Sequence, residues 1–196
     1  MFESKLLDRF TRVHPAVPVI IYLPAIVGLG VLGLTGDGLW DALGLFLLGY
    51  AFWTLTEYWL HRIVFHFEPE DGIGARLHWM IHGVHHDHPQ DPMRLVMPPS
   101  ASIPLALLFL GAFWLVPVLG SEHAPAFGAG FLAGYLIYDM IHYHVHHHVP
   151  KTRMGKRLRE LHMRHHFQDD ERGFGISAPY WDRVFGTLPR SRSESA

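Results

Sequence analysis

Histidine dominates the chemistry open to this sequence: 17 of 196 residues, against a usual share of roughly a few per cent, and neither contiguous nor terminal as a purification tag would be. Ten of them fall into four clusters: His61 and His66 in HRIVFH; His82, His85 and His86 in HGVHH; His142 and His146 in HYHVH; His162, His165 and His166 in HMRHH. Imidazole is the commonest metal ligand among side chains. In HGVHH and HMRHH the rings stand at i, i+3 and i+4, so on a helix they share one face and can converge. His142 and His146 share a face in the same way. HRIVFH differs, because residues five apart lie about 140° apart round a regular helix. That spacing requires a break or bulge, or two rings that approach the metals from different sides. A single HxxHH is a weak pattern. Four clusters together supply ten nitrogens, enough for two ions with four or five ligands each, where one tetrahedral zinc site would need four.

The other histidines divide by position. His78, one helical turn before His82, faces the same way and is expected behind the ligands rather than as an eleventh. His14 and His123 stand alone, as interfacial or solvated groups do. His144 and His148 lie across their helix from His142 and His146, and His88 and His147 fit either role. Two carboxylates also stand near the clusters: Glu57 four residues before His61, and Asp139 three before His142. An acid near the end of a membrane helix is costly unless partnered. Accepting a proton from a ligand imidazole would satisfy it and fix the ring tautomer; exposure to lipid headgroups is the other reading.

The elements that must carry these clusters are read from hydropathy. Hydrophobic residues make up 49% of the chain and charged ones 17%, in long uncharged windows separated by dense charge and histidine. Ala16–Leu34 approaches the ~20 apolar residues that cross a bilayer core of ~30 Å. Further candidates run over Gly38–His61, Ile103–Leu119 and Ala126–Ile141, with Thr35–Asp41 and Gly120–Pro125 as the turns of two hairpins. A soluble four-helix bundle would show polar stripes along these windows, and a signal peptide would show a shorter apolar run and a cleavage site. All 16 Lys and Arg lie before the first window, between the second and third, or after the fourth, while the hairpin turns carry Asp37, Asp41 and Glu122. The positive-inside rule therefore puts both termini and the central segment in the cytoplasm. The expectation is a single-domain, all-α integral membrane protein: four transmembrane helices in two hairpins under a cytoplasmic, histidine-rich helical cap. Residues 1–12 form a cytoplasmic lead-in, and 188–196 a disordered tail. All four histidine clusters then reach one membrane face.

Composition narrows the function. A net charge of −2 argues against nucleic acid. The absence of cysteine removes disulfides, thiolate catalysis and Cys-based metal sites without assigning a compartment. Zinc and iron both accept imidazole, but a metal pair at the membrane surface suits dioxygen chemistry on a lipid tail, which needs a redox metal and electrons from outside. Lys151, Arg153, Lys156, Arg157 and Arg159 could dock an acidic electron carrier, or simply anchor the chain at anionic headgroups.

The run HRIVFH, LHWMIHGVHHDHPQDPMRLVMPP, YDMIHYHVHH and LHMRHHFQDDERGFGISAPYWDRVFGT resembles the fatty acid hydroxylase superfamily. Within it the chain is similar to the fatty acid 2-hydroxylases of sphingolipid acyl chains. The resemblance covers Glu57 to Thr187, with HGxHHxxPxDxxRLVMPP its most specific part. It implies ligation by His61, His66, His82, His85, His86, His142, His146, His162, His165 and His166. It further implies two iron ions, with zinc possible in purified protein, and O2- and electron-dependent hydroxylation at C2 of a long acyl chain. No separate catalytic side chain is assigned, and Phe174–Phe185 reads as an acyl entrance or a packing lid. Eukaryotic relatives carry an N-terminal cytochrome b5 domain that does not precede the first span here. The expected electron donor is a separate protein, and the expected substrate is the acyl chain of a fatty acid or a ceramide. A sterol or carotenoid hydroxylase or a desaturase would share the metal site. A membrane metal transporter or sensor would instead string polar ligands through the bilayer.

Overall fold

A computed structural model describes residues 11–67 and 71–190, and among them there is no strand. The uncharged windows form long helices: α1 (Ala16–Asp37) and α2 (Leu39–Trp59), the latter continuing into a π-helical turn, π1 (Leu60–Phe65). A broken helical stretch follows: α3 (Gly72–His78), a second π turn, π2 (Trp79–Gly83), and α4 (Val84–Asp87). Then come α5 (Pro99–Leu115), α6 (Gly120–His147), α7 (Arg153–Phe167) and α8 (Tyr180–Val184). The first hairpin is tighter than expected. Gly38 alone joins α1 to α2, at φ +77°, a conformation that only glycine reaches cheaply. The second differs as well: Gly120–Pro125, expected as a turn, is the start of α6.

Helix α6 is the centre of the bundle, packed against α1, α2 and α5. Small residues make that approach possible. A Cβ at Gly130 would collide with the carbonyl of Phe46, and one at Gly49 with the carbonyl of Phe127, so α2 and α6 meet backbone to backbone. Without water to drive association inside a bilayer, such close packing supplies the attraction. Around it lies an aromatic core in which Trp53 meets Phe131 edge-on at 5.2 Å and Tyr22 meets Tyr135 at 4.8 Å.

Three helical segments, Ala16–Asp37, Leu39–Phe65 and Gly120–His147, are long and apolar enough to cross a membrane. The shorter α5 is an apolar helix of 17 residues. Only 17% of the most apolar window of α1 is buried within the protein. Ile20, Val27, Val31 and Leu32 on α1, and Leu107 and Leu108 on α5, face outward. Such apolar area suits lipid and would be costly in water.

At the histidine end, α7 folds over the bundle. Thr152 caps its N-terminus, accepting from the Gly155 amide at 3.1 Å, and its inner face buries Leu161, His162 and His165. Arg159 corrects the reading of the basic cluster. Its guanidinium donates to the carbonyls of Val145, His146 and His148, closing the C-terminus of α6, where a cation offsets the helix dipole. It is occupied there rather than offered to a carrier. The last segment wraps back over α2. Glu57 accepts from the amide and hydroxyl of Ser177, Thr54 accepts from Tyr180 and Trp181, and Tyr58 meets Thr187 at 2.9 Å. Phe174, Ile176 and Ala178 are buried, as in a packed lid. Of the expected tail, the carbonyls of Leu188 and Arg190 accept from Arg172 and Arg164; residues 191–196, like residues 1–10, lie outside those described.

Candidate metal centre

The two irregular turns place the first clusters. In π1 the backbone bonds run from i to i+5 rather than i+4, which brings residues five apart onto one side. His61 and His66 therefore meet, their Nε2 atoms 3.2 Å apart. The bulge that HRIVFH demands is thus a π turn. A second one, π2, contains His82, which is buried, and leads directly into the short helix that carries His85 and His86.

The ten clustered histidines form two sets of five. His61, His66, His82, His86 and His165 make one, and His85, His142, His146, His162 and His166 the other; in each, one nitrogen per ring lies within 4.8 Å of all the rest. Both HxxHH motifs are split between the sets. In HGVHH the i and i+4 rings enter the first set and the i+3 ring the second; in HMRHH the assignment is reversed. Each motif therefore reaches both sets, and the His85 and His86 rings lie 5.8 Å apart across the divide.

The nitrogen separations fit metal ions. Metal–imidazole bonds of about 2.0–2.1 Å put neighbouring ligands of one ion roughly 3.0–3.4 Å apart. His66 Nε2 lies 3.1 Å from His165 Nε2, and His85 Nε2 lies 3.0 Å from both His142 Nε2 and His166 Nε2. His162 Nε2 stands 2.7 Å from His146 Nε2 and 3.1 Å from His166 Nε2. These contacts cannot all be hydrogen bonds. A ring nitrogen has one in-plane position, for a proton or for a lone pair, yet the Nε2 atoms of His66, His85, His162 and His166 each face two partners. His82 Nε2 and His86 Nε2 are buried and have no partner among the described residues. A cation at the centre of each set would satisfy every one of these lone pairs.

Electrostatics agree. Burial, and then repulsion from neighbouring imidazoles, hold His66, His86 and His165 down to about 4, and push His82, His85, His162 and His166 well below the ordinary histidine range. Neutral imidazole is the form that ligates a metal.

The carboxylates do not sit where sequence spacing suggested. Among the described residues neither hydrogen-bonds a clustered histidine. Glu57 is used up by Ser177. Asp139 takes the Met97 amide at 3.4 Å and the Tyr135 hydroxyl at 3.3 Å. Backbone carbonyls do the orienting instead: His61 Nδ1 donates to Phe174 O and His165 Nδ1 to Arg172 O, each at 2.7 Å. Either bond puts the proton on Nδ1 and leaves Nε2 free. Sequence reasoning missed these groups because a carbonyl has no residue signature; the glycines of RGFG were the available clue. His78 stands outside both sets and donates to Phe65 O, linking π1 to the helix end before π2. His123 is not solitary: it pairs with the buried Asp37 and so ties α1 to α6.

Phe65, His82, His85, Leu95, Met97, Tyr138, Asp139 and His142 line a small cavity that touches rings of both sets. An apolar cavity lined by Trp53, Leu105, Phe109, Phe131 and Leu132 adjoins it, and Met97 lines both.

The sequence profile of the fatty acid hydroxylase family matches residues 46–187. The chain is 39% identical over 191 residues to the dihydroceramide fatty acyl 2-hydroxylase FAH2 of Arabidopsis thaliana, covering 96% of this chain and 79% of that protein. It is 41% identical over 150 residues to the fatty acid 2-hydroxylase of Homo sapiens, covering 74% of this chain and 39% of that one. A solved structure of full-length scs7p, with only the hydroxylase domain visible, superposes with a TM-score of 0.89 at 34% identity, over 97% of this chain and 73% of that one.

Proposed function

The chain belongs to the fatty acid hydroxylase family, and on that premise we propose that it hydroxylates C2 of a long acyl chain, carried as a fatty acid or a ceramide, using O2 and two iron ions. The first ion would be held by His61, His66, His82, His86 and His165, the second by His85, His142, His146, His162 and His166. The observation that carries this reading is the sorting of ten ring nitrogens into two adjacent sets of five. Iron, when bound, supplies the redox chemistry that an unactivated C–H bond requires and that zinc lacks. The protein's own part is placement. The apolar cavity between α5 and α6 takes the tail, Met97 lies at the passage, and the chamber beside His82, His85 and His142 receives the end to be modified. Burial of these walls keeps bulk water from the reacting carbon.

In this reading α5 is the fourth span. At 1.5 Å per residue its 17 residues reach about 26 Å, close to a bilayer core once the flanking Val116–Leu119 are added. Both termini and the metal centre lie in the cytoplasm, in keeping with the distribution of Lys and Arg. Electrons come from a separate carrier protein, for which the exposed Lys151, Arg153 and Lys156 around the start of α7 offer a basic approach. A transporter or sensor is disfavoured because both histidine sets gather at one end of the helices instead of forming a conduit along them.

The test is lipid mass spectrometry of cells with and without the gene. A 2-hydroxylated acyl pool that vanishes on deletion, and is restored by the wild-type gene but not by His82→Ala, is expected. An unchanged lipid profile beside altered cellular metal would overturn the assignment.

A further inference from the structure

Among the described residues, the segment that follows His166 contributes no ring to either set, yet it holds two rings of one set and none of the other. We infer that Asp182 is a positioning residue for the first set alone, acting on His61 and His165 through two peptide units of the Arg172–Gly175 strap. The inference rests on the two-ion reading above.

The geometry runs through single planar peptides. The carbonyl of Phe174 and the amide of Gly175 belong to one peptide unit, which moves as a rigid plate. Its oxygen accepts from His61 Nδ1 at 2.7 Å, and its N–H donates to Asp182 Oδ2 at 2.9 Å. The Arg172 carbonyl and the Gly173 amide form a second plate. That oxygen accepts from His165 Nδ1 at 2.7 Å, and the N–H donates to the Thr187 carbonyl at 2.9 Å. Thr187 is in turn bound twice to Asp182, hydroxyl to Oδ1 and amide to main-chain carbonyl, each at 2.8 Å. Asp182 Oδ1 also takes the Phe174 amide at 2.9 Å. Both plates thus lead back to one carboxylate, itself 1% exposed. A bond at the N–H end of a peptide polarises its carbonyl and strengthens the bond at the other end. The strap can lie this close only because residue 175 is glycine: a Cβ there would strike the Ala178 carbonyl and sit 3.1 Å from Asp182 Oδ2.

Among the described residues the strap bonds no ring of the second set. The Nδ1 atoms of His162 and His166 are buried and reach no partner among the described residues. Damage to the strap should therefore weaken one ion and spare the other. A carboxylate that merely anchors the C-terminal segment would lower both occupancies together, or neither.

The experiment is metal analysis of the full-length chain, purified in detergent, stripped, and titrated with Fe(II) or Co(II) alone. Wild type should bind two ions per chain. Asp182→Asn, which replaces one accepting oxygen with an amide donor, should bind one ion as before and a second about 10- to 100-fold more weakly, the usual effect of losing a group behind a ligand. Adding His61→Ala to Asp182→Asn should leave about one ion bound, while adding His162→Ala should remove nearly all of it. Thr187→Val, which cuts one link to Asp182, should weaken the same ion by a smaller factor, and it decides the matter if Asp182→Asn does not purify as a folded species. Two wild-type-like ions in the variants, or equal loss of both, overturns the role of Asp182. Wild type that binds no pair at all overturns the two-ion reading itself.

Discussion

The Nε2 atoms of His66 and His165 lie 3.1 Å apart although 99 residues separate them in sequence. His66 leaves the end of π1 and His165 sits on α7, so this contact closes the first set of rings between the second helix and the cap. His165 Nε2 offers a lone pair there because its Nδ1 donates to Arg172 O. His66 Nε2, which faces both His165 and His61, can give a proton to only one of them, so a cation between the rings would satisfy them all. A cation held there also fastens the cap to the bundle, so metal binding and folding of the histidine end are linked.

The division of the histidines gives a test by paired substitution. His165 and His166 are neighbours in sequence but belong to different sets. Each of His165→Ala and His166→Ala should lower bound metal towards one ion per chain and cut hydroxylated product at least about 100-fold, since a direct ligand is worth no less than the groups behind it. Combining His165→Ala with His82→Ala removes two ligands of one ion, so about one should remain. Combining His165→Ala with His162→Ala should remove both. Elemental analysis reads the difference, and equal losses in the two double variants would contradict the division.

Acid should destabilise the metal-free protein over a defined window. His66, His86 and His165 are held to about 4 in the folded state by burial and by one another, against ~6.5 for histidine in an unfolded chain. Between those values the unfolded state binds protons that the folded state refuses, so stability falls as pH drops through ~6.5 and continues to fall until about 4. It is fully present above the unfolded value. The thermal midpoint of the stripped protein in detergent, followed from pH 7.5 to 4.5, should decline steadily below pH 6.5; a flat profile would show that these rings are not buried as described.

The contact between α2 and α6 depends on hydrogen in place of a methyl group. Gly130→Ala should cost about 1–3 kcal/mol of stability, as overpacking does, because the new Cβ meets the Phe46 carbonyl. Gly44→Ala, with nothing within 4 Å of its added carbon, should instead be neutral or stabilise by up to about 1 kcal/mol, because alanine is the better helix former. Thermal unfolding in detergent compares the two. If the two variants behave alike, α2 and α6 do not approach at Gly130.

Much of this protein is written locally. The uncharged windows became helices at nearly the positions read from hydropathy, because a helix end needs a polar or glycine break and the sequence offers few. The site could be located for the same reason: rings at i, i+3 and i+4 share a helix face whatever surrounds them. The odd spacing of HRIVFH required an irregular turn, and π1 is that turn. Local spacing could not find Ser177 for Glu57 or Met97 for Asp139, because both come from distant segments; only Tyr135, one turn before Asp139, was within local reach.

By itself, the amino-acid order determined that ten imidazoles would collect at one end of apolar helices, since periodicity and hydropathy act over a few residues. Only the tertiary structure decided which ring serves which set. His85 and His86, about 100° apart round one helix, are divided by what approaches them: His142 and His146 on one side, and His66 and His165 on the other. The same is true of the carbonyls behind His61 and His165. A main-chain oxygen is the same in every residue, and only packing gives it a direction.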